Sequence, residues 1–397
     1  MEFFKSREKF LIVEILPGNR AHGLFLGVDE DRNLRFEKFL RHADLRKLVA
    51  SPARKIEEKK WEGKHLFDKR RRVIAVADPL IATTIPVPME LERALHLQAG
   101  KITLLELEDL IAQAMKKIFG GCRAEAAKRI GSEEINTVLV GSRVEGERVD
   151  GISVKDVTGH AGKKIAFILE FTFTRRNVFE SLTELFSSPE GFYFAESPQA
   201  FLRVVSAVRP LPVNLITAQE GQLPSSLFVL QKSGGKGSHD GYPVLYREPF
   251  HWHFDSLFGD IAAAFGVNRE VAAELYRVYA KKKMSENVLK YFKRIIDPAA
   301  ERLLAEVERA KISGPVYMDA PYVLPFALPY RHQGALFEPA PIEELLKKFG
   351  FAAEFDRNIL PPAAALRYLA PFFEAYFDKS RSEINQRLRK KLHWLAE

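Results

Sequence analysis

The chain has 397 residues, enough for two or more domains with sizeable cores. Hydrophobic residues make up 46% and charged residues 28%, an ordinary globular composition that excludes a wholly disordered or fibrous protein. The formal net charge is +8, and much of the excess lies between Arg54 and Arg72 and in the last seventeen residues. The cluster between Arg54 and Arg72 has two interpretations, a site for an anionic partner and a solvated surface segment.

The single cysteine, Cys122, excludes an intrachain disulfide and a cysteine-rich metal site. No segment reaches the ~20 consecutive apolar residues of a spanning helix, and the first residues lack an apolar core of signal length. We therefore expect a cytoplasmic protein without a bound metal.

The first predicted elements are two strands, Phe10–Ile15 and Gly23–Val28, joined by a turn that contains Pro17 and Gly18. A short apolar run at Arg72–Ala77 predicts a buried strand. A helix is predicted to begin from Lys101 with a capping box formed by Thr103 and Glu106, and we expect it to end at Gly120-Gly121.

The segment after the next predicted strand, Glu134–Val140, contains two pairs of turn residues, Asp150-Gly151 and Gly159 with Gly162. A strand at Ile165–Thr174 and an amphipathic helix from about Asn177 follow. The apolar face of that helix carries Val178, Leu182 and Leu185. Two hairpin turns in any α+β domain would explain the glycines equally well.

A short helix is predicted at Pro198–Ser206, and the second half begins after Pro210-Leu211-Pro212 with two predicted strands, Val213–Thr217 and Ser226–Leu230. The glycine-rich stretch Lys232–Gly241 lacks the spacing of a phosphate-binding loop, which favours a turn. Helical periodicity then dominates Asp255–Lys311. The last predicted elements are a strand at Val316–Met318 and helices at Ile342–Phe349 and Pro362–Phe377, the last bent or interrupted at Pro371.

His251 and His253 alternate on what we expect to be a strand, and so would share one face. Metal ligation and a structural strand are the two interpretations. No cluster of cysteine, histidine or carboxylate accompanies them at a recognisable spacing, which favours the strand.

The turn, strand and helix between Val149 and Leu185, together with the order of elements from Phe10 to about Phe377, resemble the FtsA family of bacterial cell division. The resemblance implies an α/β, actin-like (ribonuclease H-like) fold of two domains with an inserted small α+β subdomain of the SHS2 type. It assigns 1–88 and 179–212 to the first actin-like domain, 89–178 to the insert, 213–244 and 313–378 to the second core, 245–312 to its helical subdomain, and 379–397 to a C-terminal helix.

Similar proteins present nucleotide phosphates to one glycine-rich hairpin in each domain, since only glycine lets backbone amides approach closely. By resemblance, the nucleotide-binding positions here are Glu14, Gly18, Gly221, Ser225, Ser226, Glu274 and Arg277. The chain departs from the family at Leu16, which replaces a glycine, and at Pro224, which removes a donor. We therefore expect weak or absent binding of ATP with magnesium, and we assign no catalytic residue.

The pair Glu274 and Arg277 matches an Ala-Glu-x-x-Lys helix that approaches ribose and adenine in similar proteins. A surface ion pair three residues apart on a helix explains the same spacing. Both interpretations stay open.

The resemblance also implies a partner site in the helical subdomain, where a basic groove would receive the acidic C-terminal peptide of the tubulin-like protein FtsZ. Its residues are Lys281, Lys282, Lys283, Lys290, Lys293 and Arg294. Self-association into filaments is a further expectation, and no nucleic acid is expected.

The C-terminal segment from Arg381 is amphipathic, with an apolar stripe and a tryptophan flanked by basic residues. The predicted membrane contacts are Ile384, Arg387, Leu388, Arg389, Lys390, Lys391, Leu392, Trp394 and Leu395. The alternative is a terminal helix docked on the protein body. The linker before this segment, about Asp378–Ser380, is shorter than is usual in the family.

These observations predict an FtsA-like adaptor that tethers FtsZ to the inner face of the membrane, with degenerate nucleotide loops. Two alternatives stay open. One is an adaptor of pilus assembly similar to PilM, which has a similar insert and binds a partner's short peptide. The other is an active ATPase or sugar-kinase relative.

Overall fold

A computed structural model of the protein describes residues 8–42, 72–186, 192–218, 225–232, 243–355, 362–376 and 384–385. It divides into two compact units. The first unit contains Met1–Val204 and Ile342–Glu397, and the second contains Val205–Pro341. Of the basic cluster Arg54–Arg72 only Arg72 is among the described residues, and most of the predicted turn Lys232–Gly241 lies outside them.

The main sheet of the first unit has six strands. They are β1 (Glu8–Leu16), β2 (Arg20–Val28), β3 (Asn33–His42), β4 (Arg72–Ala77), β9 (Phe192–Glu196) and β16 (Ala352–Glu354). Their order is β16-β3-β2-β1-β4-β9. β1, β2 and β3 form an antiparallel meander, and β4 and β9 continue the sheet parallel to β1. The predicted strands at Phe10–Ile15, Gly23–Val28 and Arg72–Ala77 are confirmed.

The sheet of the second unit also has six strands. They are β10 (Val213–Thr217), β11 (Ser225–Lys232), β12 (Pro243–Phe250), β13 (Gly314–Asp319), β14 (Tyr330–His332) and β15 (Ala335–Phe337). Their order is β12-β11-β10-β13-β15-β14. Again the first three strands in sequence form an antiparallel meander, and β13 and β15 continue it parallel to the first strand.

The two sheets therefore repeat one topology, a three-stranded meander followed by two strands parallel to its first strand. This is the ribonuclease H-like arrangement, and its duplication within one chain is the actin-like fold. The predicted fold class is confirmed. Each sheet places the ends of its parallel strands on one edge, where ligands of α/β proteins commonly bind.

A smaller four-stranded sheet lies within the first unit. Its strands are β5 (Ala82–Glu92), β6 (Thr137–Val149), β7 (Ile152–Ser153) and β8 (Lys164–Arg175), in the order β5-β8-β6-β7. The 27-residue helix α1 (Leu104–Ile130) packs on one face, with Leu107 and Ile111 buried against the phenylalanines of β8. The N-cap is confirmed, since the Thr103 hydroxyl accepts a hydrogen bond from the Glu106 amide, while the Glu106 carboxylate accepts from Arg93.

The predicted end of α1 at Gly120-Gly121 is wrong. The helix continues to Ile130 and ends at Gly131, whose φ of 59° is left-handed. Two helical glycines cost roughly 1 kcal/mol each relative to alanine. Burial of Cys122, Ala126 and Ile130 beyond them outweighs that cost.

The two predicted turns of this region lie against each other. Asp150 and Gly151 both have positive φ, 49° and 84°, and the Asp150 carboxylate accepts hydrogen bonds from the Lys163 and Lys164 amides. A Cβ on Gly162 would lie 2.2 Å from Val149 Cγ1, so this position requires glycine. The glycine pattern therefore reflects close packing of two turns.

The remaining helices are α2 (Arg176–Phe186), α3 (Ser197–Val205), α4 (Phe254–Phe265), α5 (Arg269–Ala280), α6 (Glu286–Arg309), α7 (Ile342–Phe349) and α8 (Pro362–Tyr376). The sequence placed 313–378 in the second core, whereas α7, β16 and α8 belong to the first unit. The physical reason is long-range packing: β16 pairs with β3, and the ring of Phe372 in α8 lies 5.0 Å from that of Phe10 in β1.

None of the described helices is both long enough and apolar enough to span a membrane.

Candidate nucleotide and partner sites

Glu14, the acidic residue of the first predicted phosphate hairpin, points into the first unit and is 3% exposed. One carboxylate oxygen accepts a hydrogen bond from Arg367 Nη1 at 3.0 Å. The other accepts from the Tyr368 hydroxyl at 2.5 Å and lies 3.2 Å from His22 Nδ1. Both oxygens are thus bound by side chains of β2 and α8.

Burial alone would raise the pKa of Glu14, but the hydrogen bonds from His22 and Tyr368 and the charge of Arg367 hold that pKa below its ordinary value. The carboxylate is therefore ionised at neutral pH. It acts as an internal anion that fastens α8 to β1, and its oxygens are already used as acceptors within the protein.

The hairpin itself is a tight three-residue turn, Pro17–Asn19, between β1 and β2. Strand pairing continues up to Leu16 opposite Arg20, and Arg20 Nε donates to the Pro17 carbonyl at 3.2 Å. Gly18 supplies the positive φ of 76° that closes this turn. Gly18 is thus explained by backbone geometry, and Pro17 contributes no amide donor.

Two carboxylates at the ends of the parallel strands of this sheet were not predicted from the sequence. Asp78 follows β4 and accepts a hydrogen bond from the Leu80 amide at 2.9 Å. Glu196 ends β9, is buried, and accepts from the Thr84 amide at 2.6 Å. A carboxylate directly after a buried strand is the signal that could have found them.

These carboxylates do not assemble into a metal centre. Within the ranges that the structure describes, no three or more histidine, cysteine, aspartate or glutamate side chains are placed to hold a metal ion. His251 and His253 follow β12, which ends at Phe250, so the predicted strand there is wrong. His253 instead caps α4 by accepting from the Ser256 amide through Nδ1.

The second predicted phosphate hairpin lies between β10 and β11. Ser225 and Ser226 begin β11 and are buried, and Ser226 pairs with Thr217 in the sheet. The Ser226 hydroxyl lies 3.4 Å from Arg247 Nη2. Gly221 lies outside the described residues. The two serines thus belong to the buried start of a strand, where their hydroxyls have little access to a ligand.

The adenine-side pair is present on the surface of α5. Arg277 Nη1 donates to Glu274 Oε2 at 3.0 Å, which is the ion pair expected from a three-residue spacing. The Arg277 guanidinium also lies over the ring of Tyr322, 4.9 Å from its centre, and its Nη2 is 3.3 Å from the Tyr322 hydroxyl. One face of the Arg277 guanidinium is therefore covered by an aromatic ring of the protein, while the side chain remains 47% exposed.

Tyr322 was not among the predicted site residues. It lies in the apolar segment after β13 and packs against Phe254, Phe258 and Tyr276. The sequence pattern around Tyr322 indicates a site only weakly, because an aromatic residue in an apolar run is typical of any core.

The predicted partner residues Lys281, Lys282, Lys283, Lys290, Lys293 and Arg294 are all exposed, in and around the turn between α5 and α6. Lys293 is paired with Asp297 one turn later, at 2.6 Å. Val288 and Tyr291, 40% and 49% exposed, lie on α6 among these cations. We call these eight residues, the six cations with Val288 and Tyr291, the basic surface. It combines positive charge with exposed apolar side chains.

The predicted membrane stripe begins at Ile384, and this residue is buried. It is 4% exposed and belongs to the core between α1 and the small sheet. The prediction that Ile384 faces lipid is therefore wrong in this structure, because the side chain is covered by protein. The other predicted membrane residues lie outside the described ranges.

Comparison with known proteins identifies no matching family model and no matching curated protein. Three solved structures illustrate the similarities found. The PilM-PilN type IV pilus biogenesis complex aligns at 14% identity and a TM-score of 0.45, over 91% of this chain and 98% of that one.

A protein of Bacteroides thetaiotaomicron with an actin-like ATPase fold and unknown function aligns at 9% identity and a TM-score of 0.34, over 93% and 98% of the two chains. The cytoplasmic domain of EpsL, an inner-membrane component of the type II secretion system of Vibrio cholerae, aligns at 12% identity and a TM-score of 0.31, over 86% and 94%. The actin-like fold itself follows from the repeated sheet topology.

Proposed function

We propose that this protein is an actin-like adaptor that binds a short segment of a partner protein and does not turn over ATP. The observation that carries the proposal is Glu14, whose two carboxylate oxygens are bound by Arg367, Tyr368 and His22. Phosphoryl transfer needs positioned donors, a metal and an oriented water. The Glu14 carboxylate already accepts hydrogen bonds at both oxygens within the protein, so it is a poor candidate for binding a metal or orienting a water.

The adenine side supports the same proposal. One face of the Arg277 guanidinium lies on Tyr322, and its Nη1 is paired with Glu274. A purine could stack only on the outer face of Arg277, where solvent competes with the contact, so it would gain little. We therefore expect weak or absent nucleotide binding as well as no turnover.

For the partner, we propose that the basic surface binds an acidic, partly helical peptide, of which the FtsZ C-terminal peptide is the example. Cations there would steer an acidic segment, and Val288 and Tyr291 would supply apolar contact at its centre. An exposed tyrosine beside basic residues is a common composition of binding hot spots.

Two finer functions fit this adaptor. One is FtsA-like tethering of FtsZ, which needs a terminal helix that reaches lipid. The second candidate is a pilus-assembly adaptor similar to PilM, which needs no such helix. Burial of Ile384 favours the second, because the first residue of the predicted lipid-facing stripe is held in the protein core.

The test of the proposal is nucleotide binding and turnover by the full chain. We expect no magnesium-dependent release of phosphate above a buffer control and no saturable heat on titration with a non-hydrolysable ATP analogue. The matched variant is Tyr322→Ala, which uncovers Arg277 without touching Glu14. Steady ATP turnover by the wild type that is lost in Glu14→Gln would refute the proposal.

A further inference from the structure

The loop between β13 and β14 is apolar and yet lies at the surface of the second unit. Residues 320–330, which we call the apolar loop, contain no charged side chain. Its exposed residues are Pro321, Val323, Ala327, Leu328 and Pro329. Val323 is 64% exposed and Leu328 is 41% exposed. Single exposed apolar side chains are ordinary, but a run of this length indicates a contact surface.

Aromatic side chains between the exposed residues anchor the apolar loop to the core. Tyr322 packs on the core as described above, and the ring of Phe326 lies 5.2 Å from that of Phe337, which is fully buried in β15. The Tyr276 hydroxyl donates to the Val323 carbonyl at 2.7 Å. The exposed side chains are therefore presented on a fixed backbone, so little ordering is needed when they bind.

The backbone of the apolar loop suits an apolar environment. Pro321, Pro325 and Pro329 have no amide hydrogen, so fewer donors would lose their water on transfer into lipid. The Val323 carbonyl is already paired within the protein. Strand addition by a peptide would use backbone amides, whereas insertion into lipid is easier without them. This chemistry favours lipid over a peptide as the occupant.

Cations border the apolar loop. Arg331 is exposed directly after it, and Arg277 of α5 contacts its first tyrosine. The exposed residues Lys281–Lys283 begin about one helical turn after Arg277. The acidic side chains beside these groups are half-buried or paired with an arginine or a histidine: Asp319, Glu274 and Glu308. Charge therefore favours an anionic surface.

We propose that the apolar loop inserts into the interfacial region of an anionic membrane. Val323 and Leu328 would enter the boundary between headgroups and acyl chains, and the bordering cations would bind lipid phosphates. This contact goes beyond the proposed function, because it requires neither the partner peptide nor the C-terminal segment. It would hold the second unit at the membrane surface.

The first test is sedimentation of the full chain with vesicles of equal parts phosphatidylglycerol and phosphatidylcholine. We expect Val323→Asp combined with Leu328→Asp to weaken binding about tenfold or more, because two apolar contacts are replaced by charges. The matched control is Leu95→Asp with Ile152→Asp, which makes the same change at exposed apolar side chains of the first unit. It should bind like wild type, and circular dichroism checks that both variants are folded.

The second test measures insertion directly. Leu328→Cys carries an environment-sensitive fluorophore, and Leu95→Cys with the same label is the control, since the native Cys122 is buried. The emission of the label at position 328 should rise when the vesicles are added, and that of the control should not.

Three results would overturn the proposal. One is a wild type that does not sediment with the vesicles, and another is an aspartate variant that binds as tightly as wild type. The third is emission at position 328 that rises with protein concentration alone and not with vesicles, which would make the apolar loop an interface between copies. The ATP and peptide measurements are made without vesicles, so a failure here is distinct from a failure of the adaptor.

Discussion

At the scale of single residues, Glu14 shows how one buried group can change the interpretation of a motif. In the sequence it marks the acidic position of a phosphate hairpin. In the structure it is the acceptor for Arg367 and Tyr368, which lie more than 350 residues away in the chain. No local pattern around Glu14 reports those partners, so the sequence predicted the position and could not predict its use.

Replacing Glu14 by glutamine should destabilise the protein by about 2 kcal/mol, because a buried charged acceptor of three donors is lost. The measurement is the free energy of unfolding from urea titration. Glu37→Gln is the matched control, since Glu37 is exposed on β3 of the same sheet. Equal stabilities of the two variants would contradict the structural role.

The same residue predicts an effect of pH. The pKa of Glu14 is lower in the folded than in the unfolded state, so its contribution is complete above the unfolded value of about 4.3 and is lost as pH falls through the lower folded value. Stability should therefore decline below about pH 5 and decline less in Glu14→Gln. Thermal unfolding of both proteins between neutral and acidic pH measures how steeply the stability of each falls with pH. Parallel slopes would show that Glu14 titrates alike in both states.

At the scale of elements, α1 shows where local signals are outweighed by packing. The capping box marked its N-terminus, although the predicted start at Lys101 precedes the observed one at Leu104, whereas the glycine pair predicted an end ten residues too early. Gly120 and Gly121 are exposed, and a Cβ added at either position would have no neighbouring atom within 4 Å. They are tolerated because residues on both sides bury against the sheet.

Changing Gly120 or Gly121 to alanine should therefore stabilise the protein by about 0.5–1 kcal/mol each, since helical alanine loses less entropy. Gly162→Ala is the contrasting variant and should destabilise it, because the added Cβ would meet Val149 Cγ1 and the Asp150 carboxylate. Urea unfolding of the three variants gives the sign of each change in the free energy of unfolding. A destabilising Gly120→Ala would mean that this part of α1 is not helical.

A second element-scale feature is the buried ion cluster that joins β6, β8, α3 and α8. Glu374 Oε1 accepts from Arg143 Nη1 at 2.9 Å and from Arg203 Nη1 at 2.7 Å, and Arg203 also contacts Glu170. Burial opposes ionisation of Glu374, yet the two guanidinium groups hold its pKa below the ordinary value.

Glu374→Ala would remove the anion shared by two arginines that keep Glu145 and Glu170 as partners, and should cost about 2–3 kcal/mol. The comparison is Glu343→Ala at the start of α7, where the carboxylate is exposed. Urea unfolding gives the loss in free energy of unfolding for each variant, and circular dichroism confirms that each variant is folded. A loss below about 1 kcal/mol, typical of surface pairs, would show that the cluster is not a coupled unit.

At the scale of the whole molecule, the family resemblance implied the fold; periodicity and turn residues predicted only the individual elements, which the structure assembles into two sheets of one plan. The return of α7, β16 and α8 to the first unit was not predicted, since it depends on pairing between β16 and β3. The contact of Arg277 with Tyr322 and the burial of Ile384 were not predicted for the same reason. Each contact joins residues distant in sequence.

The basic surface gives the last prediction. Reversing Lys290 and Arg294 to glutamate should weaken binding of a labelled FtsZ C-terminal peptide by about tenfold or more, since each charge pair at an interface contributes on the order of 1 kcal/mol. Fluorescence anisotropy at several salt concentrations measures the affinity, whose dependence on salt should fall in the variant because fewer attractions remain to be screened.

The matched control replaces Lys116 and Lys117 by glutamate. Both are exposed residues of α1, so this variant has the same change in net charge on a different surface. It should leave the affinity unchanged, because short-range attraction to the basic surface and not net charge governs binding. If both double variants weaken binding equally, the interaction is non-specific. If neither does, the peptide does not bind at the basic surface, and this part of the proposal is refuted.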